Sequence, residues 1–217
     1  MRSAGLLEAL RARGIFEGAH ELTGDFSLNA ANALTAAELL AMGLARLTPT
    51  HDLNAAQVAD LARQIGGGAI EAVAYQHLPV FHTEHCVFCR FLSNGTSYKD
   101  CGRPCEKHRV ALKDSAGRAH PVVADVGCRN TVFGAEAQEA SLHLDAWREA
   151  GIRRFRIEFA HETAEQVTLV ARLFGETLAD GRSPRELSRA LPRVAPQGTT
   201  QGSLYVPEAY LTLPVLQ

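Results

Sequence analysis

Five cysteines are the residues of this chain best suited to chemistry, and four of them crowd into one stretch, TEHCVFCRFLSNGTSYKDCGRPC, residues 83–105. They fall as Cys86-x2-Cys89 and Cys101-x3-Cys105, and Cys128 follows in VADVGCRN. Four thiolates converging from short turns can ligate zinc tetrahedrally or hold an iron–sulfur cluster. Buried, inert cysteines are the plain structural alternative. A chain of 217 residues buries roughly 70% of its unfolded surface, so no disulfide staple is needed. No apolar run approaches the ~20 residues of a membrane span, and MRSAGLLEALRARG interrupts its apolar patch with charges, unlike a signal peptide. The expected location is cytoplasmic, where thiols stay reduced and an odd cysteine count with CxxC-type spacing points to metal or catalysis.

The formal charge of -2 exerts no general pull on nucleic acid. Locally, Arg90, Lys99, Arg103, Lys107, Arg109 and Lys113 outweigh Asp100 and Glu106, giving six positive minus two negative, or +4. Such a rim is either a solvated loop or a seat for an anionic small-molecule substrate or an RNA phosphate.

The elements that must position the cysteines alternate between short β-like and amphipathic runs, the pattern of consecutive βα units. Helices are expected near 3–13, 35–43, 54–65, 136–150 and 163–179. Strands are expected at GDFSL (24–28), ARLT (45–48), AIEAVAY (69–75), PVVADV (121–126) and RRFRIEF (153–159). The fold class expected is α/β, a partial (β/α) TIM-type barrel of about five parallel units. One domain spans 1–180, with a cysteine-rich loop inserted at 79–118 and an irregular tail at 181–217. Parallel βα folds build sites beyond the carboxyl ends of their strands. Asn29, Asn32, Thr50, His51, Asp52, Gln76, His77, Cys128, Arg129, Asn130, Glu158, His161 and Glu162 all fall there. Singly, such residues serve as caps, as Asn54 and Thr163 do before AAQVADLARQIG and AEQVTLVARLF. Collectively they mark one rim.

DFSLNAANALTAAEL, RLTPTHDLNAAQV, LPVFHTEHCVFCRFLS, DCGRPCEKHRVAL and VADVGCRNTVF resemble the collagenase-like, PrtC-type peptidases, family thirty-two among peptidases of unknown catalytic type. The likeness runs from about Gly24 to Glu162. Glu71, Leu78 and Cys86 match the family signature. Pro79 stands where the family has an earlier cysteine and Cys89 where it has a serine, so Cys89 replaces the lost ligand. The resemblance implies either a collagen-degrading protease or an iron–sulfur protein for oxygen-independent hydroxylation of RNA bases or of a quinone ring. The residues favour the second, since no Ser-His-Asp or HExxH arrangement occurs and adjacent His85 and Cys86 do not face each other productively.

On this reading Cys86, Cys89, Cys101 and Cys128 ligate a [4Fe–4S] cluster, with Cys105 in reserve and zinc the alternative metal. His77, Glu84 and Glu158 are the candidate proton-transfer residues, and Arg129 and Asn130 the candidate substrate contacts. The competing reading is a zinc-stabilised, non-enzymatic module that docks RNA or protein. Five parallel strands cannot close a barrel, so a homo-oligomer or a partner chain supplying the missing strands is expected, unless the N-terminal helix covers the open edge.

Overall fold

The structure, a computed structural model, describes residues 1–14 and 21–206. Helix α1 (Ala4–Arg11) precedes strand β1 (Thr23–Gly24), α2 (Ala33–Ala41), β2 (Arg46–Leu47), α3 (Ala55–Ile65) and β3 (Glu71–Gln76). Next come β4 (Pro79–Thr83), α4 (Val87–Leu92), β5 (Val110–Lys113), β6 (Ala119–Ala124) and β7 (Asn130–Phe133). Then follow β8 (Ala137–Glu139), α5 (Leu144–Glu149), β9 (Arg154–Ile157), α6 (Ala164–Leu178), α7 (Pro184–Val194) and β10 (Thr199–Thr200).

The class is mixed α/β, but the described strands do not form one parallel barrel sheet. β1 pairs in parallel with β2, and β3 with β9, while a bridge from Leu47 to Ile70 carries β2 onto the start of β3. β8 runs antiparallel to β3, with β10 parallel beside it. The PVVADV run is no barrel strand: as β6 it belongs to a separate antiparallel sheet of order β4-β7-β6-β5. Chain length decides this. Only residues 114–118 separate β5 from β6 and 125–129 separate β6 from β7, whereas a parallel crossover needs about a dozen residues. The loop expected at 79–118 is thus part of a small sheet subdomain reaching residue 133.

Local sequence explains the main helices. Asn54, Thr163 and Ser183 cap α3, α6 and α7, each in a reciprocal capping box with Gln57, Gln166 and Glu186. The last of these places an amphipathic helix in the tail expected to be irregular; Leu187 and Leu191 are fully buried, each worth about 1.5–3 kcal/mol. Residues 136–150, rich in helix formers, instead begin as β8, because pairing with Tyr75 and Gln76 overrides propensity. GDFSL contributes only Gly24 to a strand; Asp25 accepts the Phe26 N–H at 2.9 Å and starts a 3₁₀ turn.

One core lies between the first strands and α1, α2, α3 and α5, around Leu47, Ile70 and Trp147, whose indole donates to the Ala55 carbonyl at 2.9 Å. A second joins β3 to α6 and α7 through Tyr75, Phe174 and Leu191. The cysteine subdomain has a much smaller one of Phe88, Val122 and Val132. β1 is not left bare beside β2: the Asp25 N–H donates to the Met1 carbonyl at 2.7 Å, and the Met1 amino group donates to the Thr23 carbonyl at 2.5 Å.

Candidate metal centre and adjoining cavity

Cys86 is the N-cap of α4, and its sulfur accepts the Cys89 N–H at 3.4 Å, so the CxxC spacing brings both sulfurs to one turn at a helix start. The Cys89 thiol donates to the Gly95 carbonyl at 3.3 Å. Asp100 then folds the loop back by accepting the Thr96 and Ser97 N–H groups at 3.1 and 2.7 Å, which holds its carboxyl below the ordinary value. A side chain at Gly95 would place its Cβ 2.6 Å from the Asp100 carbonyl oxygen and the Cys101 Cα, so this turn needs glycine. Cys105 lies in a 3₁₀ turn (Pro104–Glu106) and Cys128 in the β6–β7 hairpin turn at φ 63°. Cys128 therefore comes from an antiparallel hairpin, not from the rim of a parallel barrel.

All five cysteines line a single cleft of about 930 Å³, together with Arg90 and Arg103. Each is a free thiol; Cys128 is exposed and the others half-buried. Burial, then the neighbouring Cys101 and Cys86, push the Cys89 thiol up. Among the described residues no three of the sulfurs all lie within 4.8 Å of one another.

A second cavity, of about 900 Å³, adjoins the cleft and shares Glu84 and Asp125 with it. It is lined by His51, His77, His82, Arg129 and Glu158, with Phe26, Phe133 and Phe159 as apolar walls. Thr131 donates to Asp125, and His82 Nδ1 lies 2.8 Å from the Thr131 hydroxyl, a relay ending at an exposed imidazole.

The model of peptidase family U32 matches residues 16–208. The chain belongs to peptidase family U32. No curated protein and no solved structure matches it.

In this U32 chain four of the candidate residues, His77, Glu84, Arg129 and Glu158, meet in the adjoining cavity. Asn130 does not join them. It is fully buried; its carbonyl oxygen accepts the Val87 N–H at 2.6 Å and its amide donates to the Arg129 carbonyl at 2.6 Å. Asn130 thus anchors the first turn of α4 beside Cys86 instead of facing a substrate. His77 reaches the cavity from a buried position with both ring nitrogens engaged, to the Gly134 carbonyl and to Glu162, each at 2.9 Å. Burial opposes ionisation of Glu162, but His77 and the Tyr75 hydroxyl outweigh it and hold the carboxyl down to about 2.

Glu158 meets Arg156, whose guanidinium also contacts Asp25, Glu71 and the Thr48 hydroxyl, with carboxylate distances of 2.6–2.8 Å. Burial opposes the Arg156 charge, but its bonds to Glu158, Asp25 and Glu71 outweigh that and raise its pKa. Period-two placement of charge in RRFRIEF was the sequence signal for this inward cluster. His82 and Asp125 carried no such signal, since they become neighbours only when β4, β6 and β7 pair.

Proposed function

We infer that this U32 chain holds an iron–sulfur cluster in the five-cysteine cleft and acts on a substrate bound in the adjoining cavity. The observation that carries the reading is the convergence of every cysteine on one cleft from the α4 start, the Asp100 turn, a 3₁₀ turn and a hairpin turn. A zinc tetrahedron with Zn–S near 2.3 Å needs sulfurs about 3.8 Å apart. Four of the five thiolates could supply either that tetrahedron or a sulfide-bridged cluster, and metal analysis separates the two.

A bound cluster supplies one-electron chemistry. The chain's own residues do the rest: Arg129 holds an anionic group, Glu84 and the His82 relay exchange protons, and the phenylalanine walls take a flat ring. This suits oxygen-independent hydroxylation of an RNA base or a quinone-type ring. Peptide hydrolysis is the second reading, favoured by the family itself.

Anaerobic purification followed by iron, sulfide and zinc determination tests the proposal. We expect about four irons and four sulfides per chain. Zinc without sulfide would overturn it in favour of a zinc-stabilised binding module. Cleavage of gelatin by pure protein, abolished by Glu84→Gln but not by loss of the cluster, would establish the hydrolytic reading instead.

A further inference from the structure

His161 presents a chemical anomaly. Both of its ring nitrogens are shielded from solvent, and neither has a hydrogen-bond partner. An imidazole placed this way forfeits its hydration with nothing in return, which calls for a ligand. The ring lies 4.3 Å from that of His77, edge to face. One ligand-capable atom from each of His77, His161 and Glu162 falls within 4.8 Å of the other two.

The surroundings of these three residues orient them as metal ligands are oriented. His77 Nδ1 donates to the Gly134 carbonyl at 2.9 Å, which leaves Nε2 as the atom that points at Glu162. A histidine bound to metal through one nitrogen characteristically donates from the other to a carbonyl or carboxylate. Glu162 is braced as well: Oε2 accepts the Ala160 and His161 N–H groups at 2.9 and 3.1 Å, and Oε1 accepts the Tyr75 hydroxyl at 2.9 Å. The His77 and Glu162 side chains are wholly shielded from solvent.

We propose that His77, His161 and Glu162 form a second metal site, separate from the cysteine cleft, for a divalent first-row transition cation. Two imidazoles and one carboxylate suit zinc, iron(II), cobalt or manganese; calcium and magnesium prefer all-oxygen sites. In the metal-free site a proton on His77 Nε2 bridges to the Glu162 carboxylate. The entering cation forms bonds to His77 Nε2, a His161 nitrogen and a Glu162 oxygen, and the displaced proton leaves to solvent. A cavity of about 560 Å³, lined by His161, Glu162, His108 and Arg109, gives a small molecule access to the remaining coordination positions. The nearby positive charge of Arg109 favours an anionic occupant there.

Cobalt(II) titration of the full chain, isolated anaerobically with its cysteine-bound metal in place, tests the site. Thiolate charge transfer in the near ultraviolet distinguishes cobalt on cysteine from cobalt on imidazole and carboxylate, which shows only weaker visible bands. We expect one equivalent bound without thiolate bands, displaceable by zinc, with affinity falling as pH drops through the histidine range. His161→Ala should weaken binding by at least about tenfold. The His161 ring makes no hydrogen bond, so this variant should unfold at the wild-type midpoint. Cys86→Ser should leave this equivalent intact. Wild-type protein that binds cobalt only with thiolate bands overturns the proposal, as does a His161→Ala protein that binds as tightly as wild type. Either result would make His77 and Glu162 a structural hydrogen-bonded pair against which the His161 ring merely packs.

Discussion

The Asn130 side-chain oxygen accepts the Val87 N–H at 2.6 Å, joining the first residue of β7 to the first helical residue of α4. Two segments far apart in sequence are thereby locked next to Cys86, the N-cap of that helix. Asn130→Ala should leave the Val87 N–H unsatisfied at a cost of about 1–3 kcal/mol, felt mainly within the cysteine subdomain. We expect the variant to lose cleft-bound metal to a chelator much faster than wild type, read from metal content against time. Equal release rates would show that the contact does not hold the cleft together.

Arg156 is the shared partner of Asp25, Glu71 and Glu158. Arg156→Met strands three partly buried carboxylates, and because all remain partly solvated we expect a loss of about 2–4 kcal/mol, toward the lower end of the buried-pair range. The sign with pH is fixed. The carboxyl of Asp25 is depressed in the folded protein, with burial opposing and Arg156 and Arg2 prevailing, so its stabilisation is present above 3.8 and is lost as pH falls through the folded value. The deficit of the variant should therefore shrink below about pH 4, as protonation relieves the stranded charges. A deficit in urea-unfolding free energy that stays constant with pH would rule out this electrostatic account.

His51 and His143 should set the behaviour on mild acidification. Burial lowers both below the ordinary 6.5, against the raising influence of Glu158, Asp25 and Asp52 on His51 and of Glu139 on His143. The unfolded chain then takes up protons first, so stability present at neutral pH is lost as pH falls below 6.5. Urea midpoints should fall between about pH 7 and pH 5.5, and fall less in His143→Gln. Equal pH dependence in wild type and variant would remove His143 from the explanation.

What was legible in the sequence were the features written in local chemistry. Asn54 and Thr163 mark the starts of α3 and α6, the β3 run reads as a strand because its apolar residues are buried, and the β9 run reads as one through its alternation of charged and apolar residues. The cysteine subdomain escaped because its sheet buries so little: β4 has no buried residue, and its small core is Phe88, Val122 and Val132. Alternation is weak where neither face of a strand is dry. Asn130 looked like a rim residue for the same reason. Its polarity was visible, but the backbone N–H it satisfies lies 43 positions away and becomes its neighbour only through tertiary pairing.

Gly95 offers the sharpest test of how the cleft is built. An added Cβ would meet the Asp100 carbonyl oxygen and the Cys101 Cα at 2.6 Å, and both are backbone atoms that cannot swing aside as a side-chain tip can. Gly95→Ala must therefore open the turn and move Cys101 away from Cys89, whose thiol also bonds to the Gly95 carbonyl. The loop is largely exposed and remote from the large cores, so we expect the global unfolding midpoint to change by less than about 0.5 kcal/mol while metal in the cleft is lost. Separating the two readouts matters: a collapse of both would make the loop part of the fold, whereas full retention of metal would show that Cys101 does not have to approach Cys89 to complete the site.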